Sequence, residues 1–367
     1  VQIDEFVPLA PFTTLKVGGP ARFFARVTDL SEIRAGLRFA QSCGLPVFVL
    51  GGGSNLVVPD VGFPGMVLAM TTPASIVRTE AAACVFFDVS ASTAWDEFVL
   101  EVCRQGISGV ECLAGIPGQT GATPVQNVGA YGQEVAQSIE HVTALDLLDF
   151  EAAPVVIPAA KCGFGYRRSR FNAGEQGRWL VLSVRFRLSR EALPNLSYAD
   201  LKPLTGANPT PLDVYHFVRE VRFGKGMLID PSRPCPDMRS AGSFFKNPLV
   251  PAATLARMAA TLHLDPKSIP HWPVRGHAGE GEEIKLPAAW LIERAGFPRG
   301  FTLDAAGISS RHTLALINRT GDASCADLLR LRDRIADEVQ IRFGITLEQE
   351  PLLLEPANTI AQTAPEH

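Results

Sequence analysis

The chain has 367 residues, of which 46% are apolar and 20% charged, with a formal net charge of -4. This balance excludes a disordered chain and gives no support to an extended nucleic-acid surface, while a local basic pocket for a small anion stays open. The length is enough for two or three domains and a sizeable core.

Seven cysteines, at positions 43, 84, 103, 112, 162, 235 and 325, are scattered without close ligand-like pairs. An odd count at irregular spacing reads as reduced thiols, with neither a disulfide framework nor a metal site. No apolar run reaches the length of a membrane span, and the first thirty residues lack a leader pattern, so the expected compartment is the cytoplasm.

In chain order, FTTLKVGGPARFFARV (12–27) predicts a short strand, a glycine turn and a second strand. Over 28–43, Leu30, Ile33, Leu37 and Ala40 share one helical face behind a Thr or Asp cap, and Gly44 stops the helix. LPVFVL (45–50) is a compact buried strand, followed directly by GGGSN (51–55). A second region begins near residue 70. CVFFDVSAS (84–92) predicts a strand, and 93–106 a helix with Trp95, Phe98, Val99 and Val102 inward. AGIPGQTGATPVQNVGAYG (114–132) is too rich in glycine and proline for a regular element. Strands follow at 138–150 and 179–190, the latter alternating through Leu182, Val184, Phe186 and Leu188.

Residues 191–213, rich in proline and polar groups, predict a linker or long crossing loop. A helix at 252–264 precedes an irregular stretch at 265–283. A helix at 286–296 has Pro287 at its first position and Gly296 at its end. A strand through 313–318 leads into a helix at 323–341 with Leu328, Leu329, Ile335 and Val339 inward. Regular strand–helix–strand alternation does not persist beyond the start, so the expected class is α+β, in several units with mixed or antiparallel sheets.

Two segments invite a phosphate. LGGGSN follows a strand and offers successive backbone N–H groups without side-chain bulk, which suits an anion and equally suits a plain turn. It is neither a GxGxxG fingerprint nor a Walker loop. The second loop adds Gln119, Thr120, Thr123, Gln126 and Asn127. An irregular stretch of that length inside a compact domain usually has a function. Together the loops suit an extended dinucleotide, the alternative being two tight loops at a domain edge. In GYRRSRF, Arg167, Arg168 and Arg170 are either a carboxylate clamp or solvated edge charges. In RSAGSFFKNP, Ser243 lies between a glycine and two phenylalanines, as a turn hydroxyl or a held reacting group.

FTTLKVGGPA, LPVFVLGGGSNLVV, AGIPGQTGATPVQNVGAYG, CGFGYRRSRF, LSYADL, AGSFFKNP and LEQEP occur in an order and spacing that resemble the UDP-N-acetylenolpyruvoylglucosamine reductase family, across about residues 10–355. The longer subtype, with a mobile tyrosine loop, is the nearer likeness. The resemblance implies an α+β FAD-binding fold of the vanillyl-alcohol-oxidase/PCMH type with a separate α+β substrate-binding domain. It divides the chain into FAD-binding regions at 1–70 and 71–225, the second completed by 344–367, and a substrate-binding domain at 226–343. It also implies non-covalent FAD, NADPH as reductant, UDP-N-acetylglucosamine enolpyruvate as substrate, no nucleic-acid partner, no membrane insertion, and a monomer.

Implied FAD contacts fall on Gly51, Gly52, Gly53, Ser54 and Asn55, and on Gly115, Ile116, Pro117, Gly118, Gly121, Gln126, Asn127, Gly129, Ala130, Tyr131 and Gly132. The implied catalytic residues are Arg167 as carboxylate clamp, Ser243 as proton donor and Glu350 as the carboxylate near the reacting double bond. Tyr166, Tyr198, Lys225, Lys246, Asn247 and His312 match substrate-binding positions. Two departures stand out. Seventeen residues separate Lys225 from Ser243, a longer interval than the family pattern leads one to expect. His312 stands where the longer subtype tends to have glutamine, and Ser309 near where the commoner pattern has histidine. The alternatives are another FAD-linked oxidase or dehydrogenase of the same fold and a non-enzymatic nucleotide-sugar binder.

Overall fold

The computed structural model describes residues 1–81, 84–274, 283–356 and 359–361. Two five-stranded sheets and a third unit with two small sheets arrange the chain around one cleft.

The first sheet has the strand order 4–8, 20–27, 63–70, 46–50, 360–361, parallel at its centre and antiparallel at both edges. Helix α1 (Leu30–Ser42) covers one face with Ile33, Leu37 and Ala40 fully buried. Asp29 caps it by accepting from Glu32 N–H, and Glu32 returns a bond to Thr28 N–H, so the Thr-or-Asp cap resolves to Asp29. Gly36 lets the helix lie close: a Cβ there would come within 2.7 Å of Leu68 Cδ2.

The second sheet is antiparallel throughout, in the order 155–158, 139–146, 179–188, 85–90, 76–80. Helix α2 (Trp95–Arg104) buries Trp95, Phe98, Val99 and Val102 against it, as the periodicity predicts. The Phe98 ring lies 4.8 Å from Phe186 and 5.8 Å from Phe87. Trp95 Nε1–H donates to Leu113 O, which anchors the entrance of the long glycine loop inside this core.

The proline-rich stretch after 190 ends in a helix the sequence reading did not assign, α3 (Pro211–Gly224). Thr210 and Asp213 form a reciprocal capping box and Pro211 takes the first turn, so the cap lies inside what looked like linker. The third unit holds α4 (Thr254–Leu262), α5 (Ala288–Arg294) and α6 (Cys325–Phe343) with the sheets 249–251/283–285/272–274 and 302–303/306–308/316–318. Pro287 is the N-cap of α5 rather than its first residue, and Leu329 on α6 is only partly buried. The strand expected over 313–318 narrows to 316–318, and the short strand expected from residue 12 does not form: a 3-10 turn at 10–12 leads through irregular backbone at 13–19 into strand 20–27. Part of the irregular stretch expected at 265–283, residues 275–282, lies outside the described residues.

The segment after 343 departs from the expected division. Strand 352–353 pairs with 56–57 and 360–361 with 46–50, so it joins the first region and not the second. Packing explains this: Leu354 is 1% exposed in a cluster with Leu9, Phe24, Leu56 and Phe63, all from the first region.

Two polar contacts, one of them buried, fasten the third unit to the first. Asn318, fully buried, donates through Nδ2 to Leu15 O and Lys16 O and accepts from Gly321 and Ala323 N–H. The Asp60 carboxylate accepts from Cys325 and Ala326 N–H at the start of α6. Because truncating Asn318 removes the partner of four backbone groups, two of them in buried contacts, Asn318→Ala should cost about 2–3 kcal/mol. Denaturant unfolding of the holoprotein checks this, and a loss below about 0.5 kcal/mol would remove Asn318 from the fastening.

Candidate active site

A cleft of about 870 Å³ runs between the two glycine loops, the segment 240–247 and the segment 348–353. Gly51–Asn55 leaves strand 46–50 and meets the second loop directly. A Cβ on Gly52 would stand 2.6 Å from Gly118 Cα, so neither loop tolerates a side chain where they touch. Gly53 has φ +60°, and a Cβ there would collide with Phe12 O at 1.9 Å. Ser54 Oγ donates to Pro117 O and Asn55 Nδ2 to Gln126 Oε1, locking one loop on the other. The second loop is held from behind through Trp95 N–H to Gly118 O and Gly121 N–H to Ala91 O. Among the described residues, the N–H groups of Gly52, Gly53, Ser54, Gly118 and Gln119 donate to no protein group. Five unclaimed donors on two opposed side-chain-poor loops fit the pyrophosphate of a dinucleotide such as FAD.

Most of the expected dinucleotide residues line the cleft: Gly51 to Asn55, Ile116 to Gly118, Gly121, Gln126, and Gly129 to Tyr131. Three do not. Gly115 faces away, donating to Asp96 Oδ1 and accepting from Arg222 Nε–H. Asn127 is 1% exposed, and its amide bonds Glu134, Gly165 O and Ala136 N–H, which holds the small hairpin 129–134. Gly132 lies outside the lining, its carbonyl accepting from Asn195 Nδ2.

The middle of the cleft carries the ionisable groups. Phe244 and Phe245 are buried in the core of the third unit and pin the segment that carries Ser243. Phe244 N–H donates to Leu314 O, Phe244 O accepts from Glu350 N–H, and Lys246 N–H donates to Glu348 O. Ser243 is half-buried, lines the cleft, and its Oγ has no hydrogen-bond partner among the described residues. That combination separates it from a turn hydroxyl, which would bond its own backbone.

Arg167 occupies a tight turn at φ +52°. Its Nη2 donates to Gly129 O, and its Nε stands 2.8 Å from Glu350 Oε1. The Nε–H does not point along that line, so the contact is an ion pair without an aligned hydrogen bond. Burial pushes the Glu350 carboxyl above its ordinary range, with Arg167 and Lys246 pulling the other way. Lys246 Nζ pairs with Glu348 Oε1 at 2.5 Å, which brings both carboxylates of LEQEP to the cleft with separate cationic partners.

Tyr166 stands behind the lining. Its ring lies between the cations of Arg167 and Lys285, at 5.7 and 5.0 Å, and its hydroxyl accepts from Asn247 N–H. Asn247 in turn accepts from Ala288 N–H through Oδ1, capping α5, and itself lines the cleft. Tyr166 therefore supports Arg167 and Asn247 rather than lining the cleft itself.

Tyr131, Tyr198, Lys225 and His312 also line the cleft. Tyr198 packs edge-on against Tyr131 at 5.5 Å, and Lys225 Nζ lies 5.4 Å from the Tyr131 ring. Burial, reinforced by the charges of Lys225 and Arg222, pushes His312 down to about 4, so it is neutral at neutral pH. The long interval after Lys225 does not displace it. Lys225 caps α3, while residues 226–239 fold against the third unit. There Asp237 accepts from Ser310 N–H and Oγ–H, and Arg239 donates to Asn318 O and Arg319 O.

Sequence reasoning missed Arg222, a cleft-lining guanidinium only 6% exposed. It donates to Gly115 O and Met227 O and bridges the glycine loop to the third unit. Its spacing from Lys225, three residues on one helical face, was a signal hidden by the unassigned α3. Asn172, Gln176 and Trp179 also line the cleft and carried no motif.

Comparison with known proteins agrees with this division of labour. Residues 21–152 match a family model for an FAD binding domain, and 233–354 match the C-terminal domain of UDP-N-acetylenolpyruvoylglucosamine reductase. The chain is 44% identical over 356 residues to that reductase from Thermobifida fusca, spanning 95% of this chain and 97% of the relative. For Streptomyces coelicolor the figures are 42% over 372 residues, 96% and 90%. The crystal structure of the reductase from Thermus caldophilus superposes with a TM-score of 0.62 at 27% identity, over 97% of this chain and 99% of that one. The architecture is an α+β FAD-binding fold, and the chain belongs to the UDP-N-acetylenolpyruvoylglucosamine reductase family.

Proposed function

We infer that the chain is a UDP-N-acetylmuramate dehydrogenase. It uses NADPH and FAD to reduce the enolpyruvyl ether of UDP-N-acetylglucosamine to UDP-N-acetylmuramate, in peptidoglycan precursor synthesis. The observation that carries the reading is the Ser243 hydroxyl, without a bond among the described residues, which lines with the Arg167–Glu350 pair the cleft that the two glycine loops enter.

FAD, held by Gly51–Asn55 and by the loop through Gly118 and Gly121, supplies the hydride-transfer chemistry when bound. The protein's share is polarisation and proton delivery. Negative charge moves onto the substrate carboxylate as the double bond is reduced, and a guanidinium there stabilises it. Arg167 takes that role: Gly129 O and the Tyr166 ring hold the group in place, and its Nε–H is not committed to Glu350. Ser243 Oγ–H delivers the proton to the carbon bearing the carboxylate. Glu350, whose burial works against its charge, supports that delivery from the segment bonded to Phe244 O. At the diphosphate and uridine, Lys225, Lys246, Asn247, Tyr198 and neutral His312 supply donors.

Residues 1–70 and 71–225 hold the cofactor in this reading and 226–343 the substrate, with the segment past 343 siding with the first region.

Ser243→Ala should keep its FAD and its reduction by NADPH, while reoxidation by the enolpyruvyl substrate slows by about 10²–10⁴. Stopped-flow absorbance of the two half-reactions checks this, and equal loss in both would make Ser243 structural. A second expectation concerns pH. Burial holds His312 at a folded pKa of about 4, below the ordinary 6.5, so unfolding takes up a proton between these values. The stability this group provides is complete above about pH 6.5 and drains away as pH falls toward 4. His312→Gln should therefore lose less thermal midpoint between pH 7 and 4.5 than the parent protein. Identical losses would show that His312 titrates normally.

A further inference from the structure

We propose that Asp200 determines specificity for a diphosphate by guarding Lys225, and that it ties this guard to the position of Tyr198. The proposal rests on the reading of Lys225 and Tyr198 as substrate-facing residues.

Lys225 Nζ and Asp200 Oδ2 stand 2.5 Å apart, and the side chains are 35% and 33% exposed. The pair is thus close enough to be a charge-assisted bond and open enough for a ligand to reach it. Burial works against the Lys225 charge, yet the Asp200 bond and the Tyr131 side chain hold its pKa above the ordinary value. Lys225 also caps the C-terminal end of α3, where helix carbonyls favour a cation. Its ammonium is therefore a stable positive group whose donors are shared between Asp200 and whatever enters the cleft.

Asp200 is not an independent side chain. It lies in the first turn of the 3-10 segment Ala199–Leu204, whose N-cap is Tyr198. Leu201 in the same turn is fully buried. The irregular approach to this turn is docked as well: Asn195 Nδ2 donates to Gly132 O, and Cys112 Sγ–H donates to Asn195 O. Tyr198 stacks edge-on against Tyr131, the ring that also faces Lys225. A short turn with a buried anchor moves as a unit, so a shift that carries Tyr198 over a ligand also moves Asp200 against Lys225.

Carboxylate and phosphate compete for the same ammonium. A diphosphate has more charge and more acceptor oxygens than a monophosphate, and so it displaces the carboxylate more readily. Asp200 in this way raises the threshold for occupying Lys225, and weakly charged nucleotides fall below it.

The test titrates oxidised holoenzyme with UDP and with UMP, read by perturbation of the flavin absorbance. Asp200→Asn should bind UDP about five-fold tighter, the scale of a partly exposed ion pair, and UMP should gain more, narrowing the preference for UDP. In a Lys225→Met background the same substitution should change neither affinity. Unchanged or weaker UDP binding in Asp200→Asn overturns the proposal. So does a gain that persists without Lys225, since Asp200 would then act only through charge at a distance. If Lys225→Met itself leaves UDP affinity unaltered, the reading of Lys225 as a diphosphate contact fails and the guard falls with it. If Lys225→Met weakens UDP but Asp200→Asn changes nothing, only the guard falls. Asp200→Ser serves in place of the asparagine variant if the latter loses FAD.

Discussion

A two-rung backbone ladder holds the reacting end of this molecule together. Phe244 O accepts from Glu350 N–H and Lys246 N–H donates to Glu348 O, joining segments about a hundred residues apart in sequence. One side of the ladder is anchored by two phenylalanines that are fully buried in the third unit. The other continues into strand 352–353, which pairs with 56–57 just after the first glycine loop. Ser243 and Glu350 are thus set by the core of one unit and the sheet of another. The Asn318 and Asp60 contacts that fasten those units also keep the serine in register with the cofactor loops.

Electrostatics within the cleft follow one pattern. Arg167 faces Glu350, Lys246 faces Glu348, and Lys225 faces Asp200. Each cation an anionic substrate would use already has a carboxylate beside it, which lowers the cost of keeping charge away from bulk water. It also reconciles a site built for a highly anionic nucleotide sugar with a chain of net charge -4. Arg222 is the exception among these cations. It is buried on backbone carbonyls, and burial lowers its pKa.

Much of the architecture was legible in the chain. The faces of α1 and α2, the buried strand before GGGSN and the alternation through 179–188 are all as periodicity predicts, because each element has one wet and one dry side. Helix α3 was missed although its capping box and Pro211 stand in plain view, because the prolines before it read as linker. Asn127 and Gly115 were assigned to the cofactor by the loop they belong to. A loop motif cannot tell which of its residues face inward, and both turned out to brace it from behind.

The sequence by itself determined the α+β class and the two side-chain-poor loops and, through its resemblance to a family, singled out Arg167, Ser243 and Glu350 as the candidate catalytic residues. Those are properties of local pattern and residue type, and they survive without coordinates. Only the tertiary structure decided that the C-terminal strands join the first sheet and that Ser243 Oγ has no protein partner among the described residues. It alone put Tyr166 behind the cleft and Asp200 on Lys225. These outcomes depend on which distant segments meet, and that is settled by burial of Leu354, Phe244 and Phe245 rather than by any local signal.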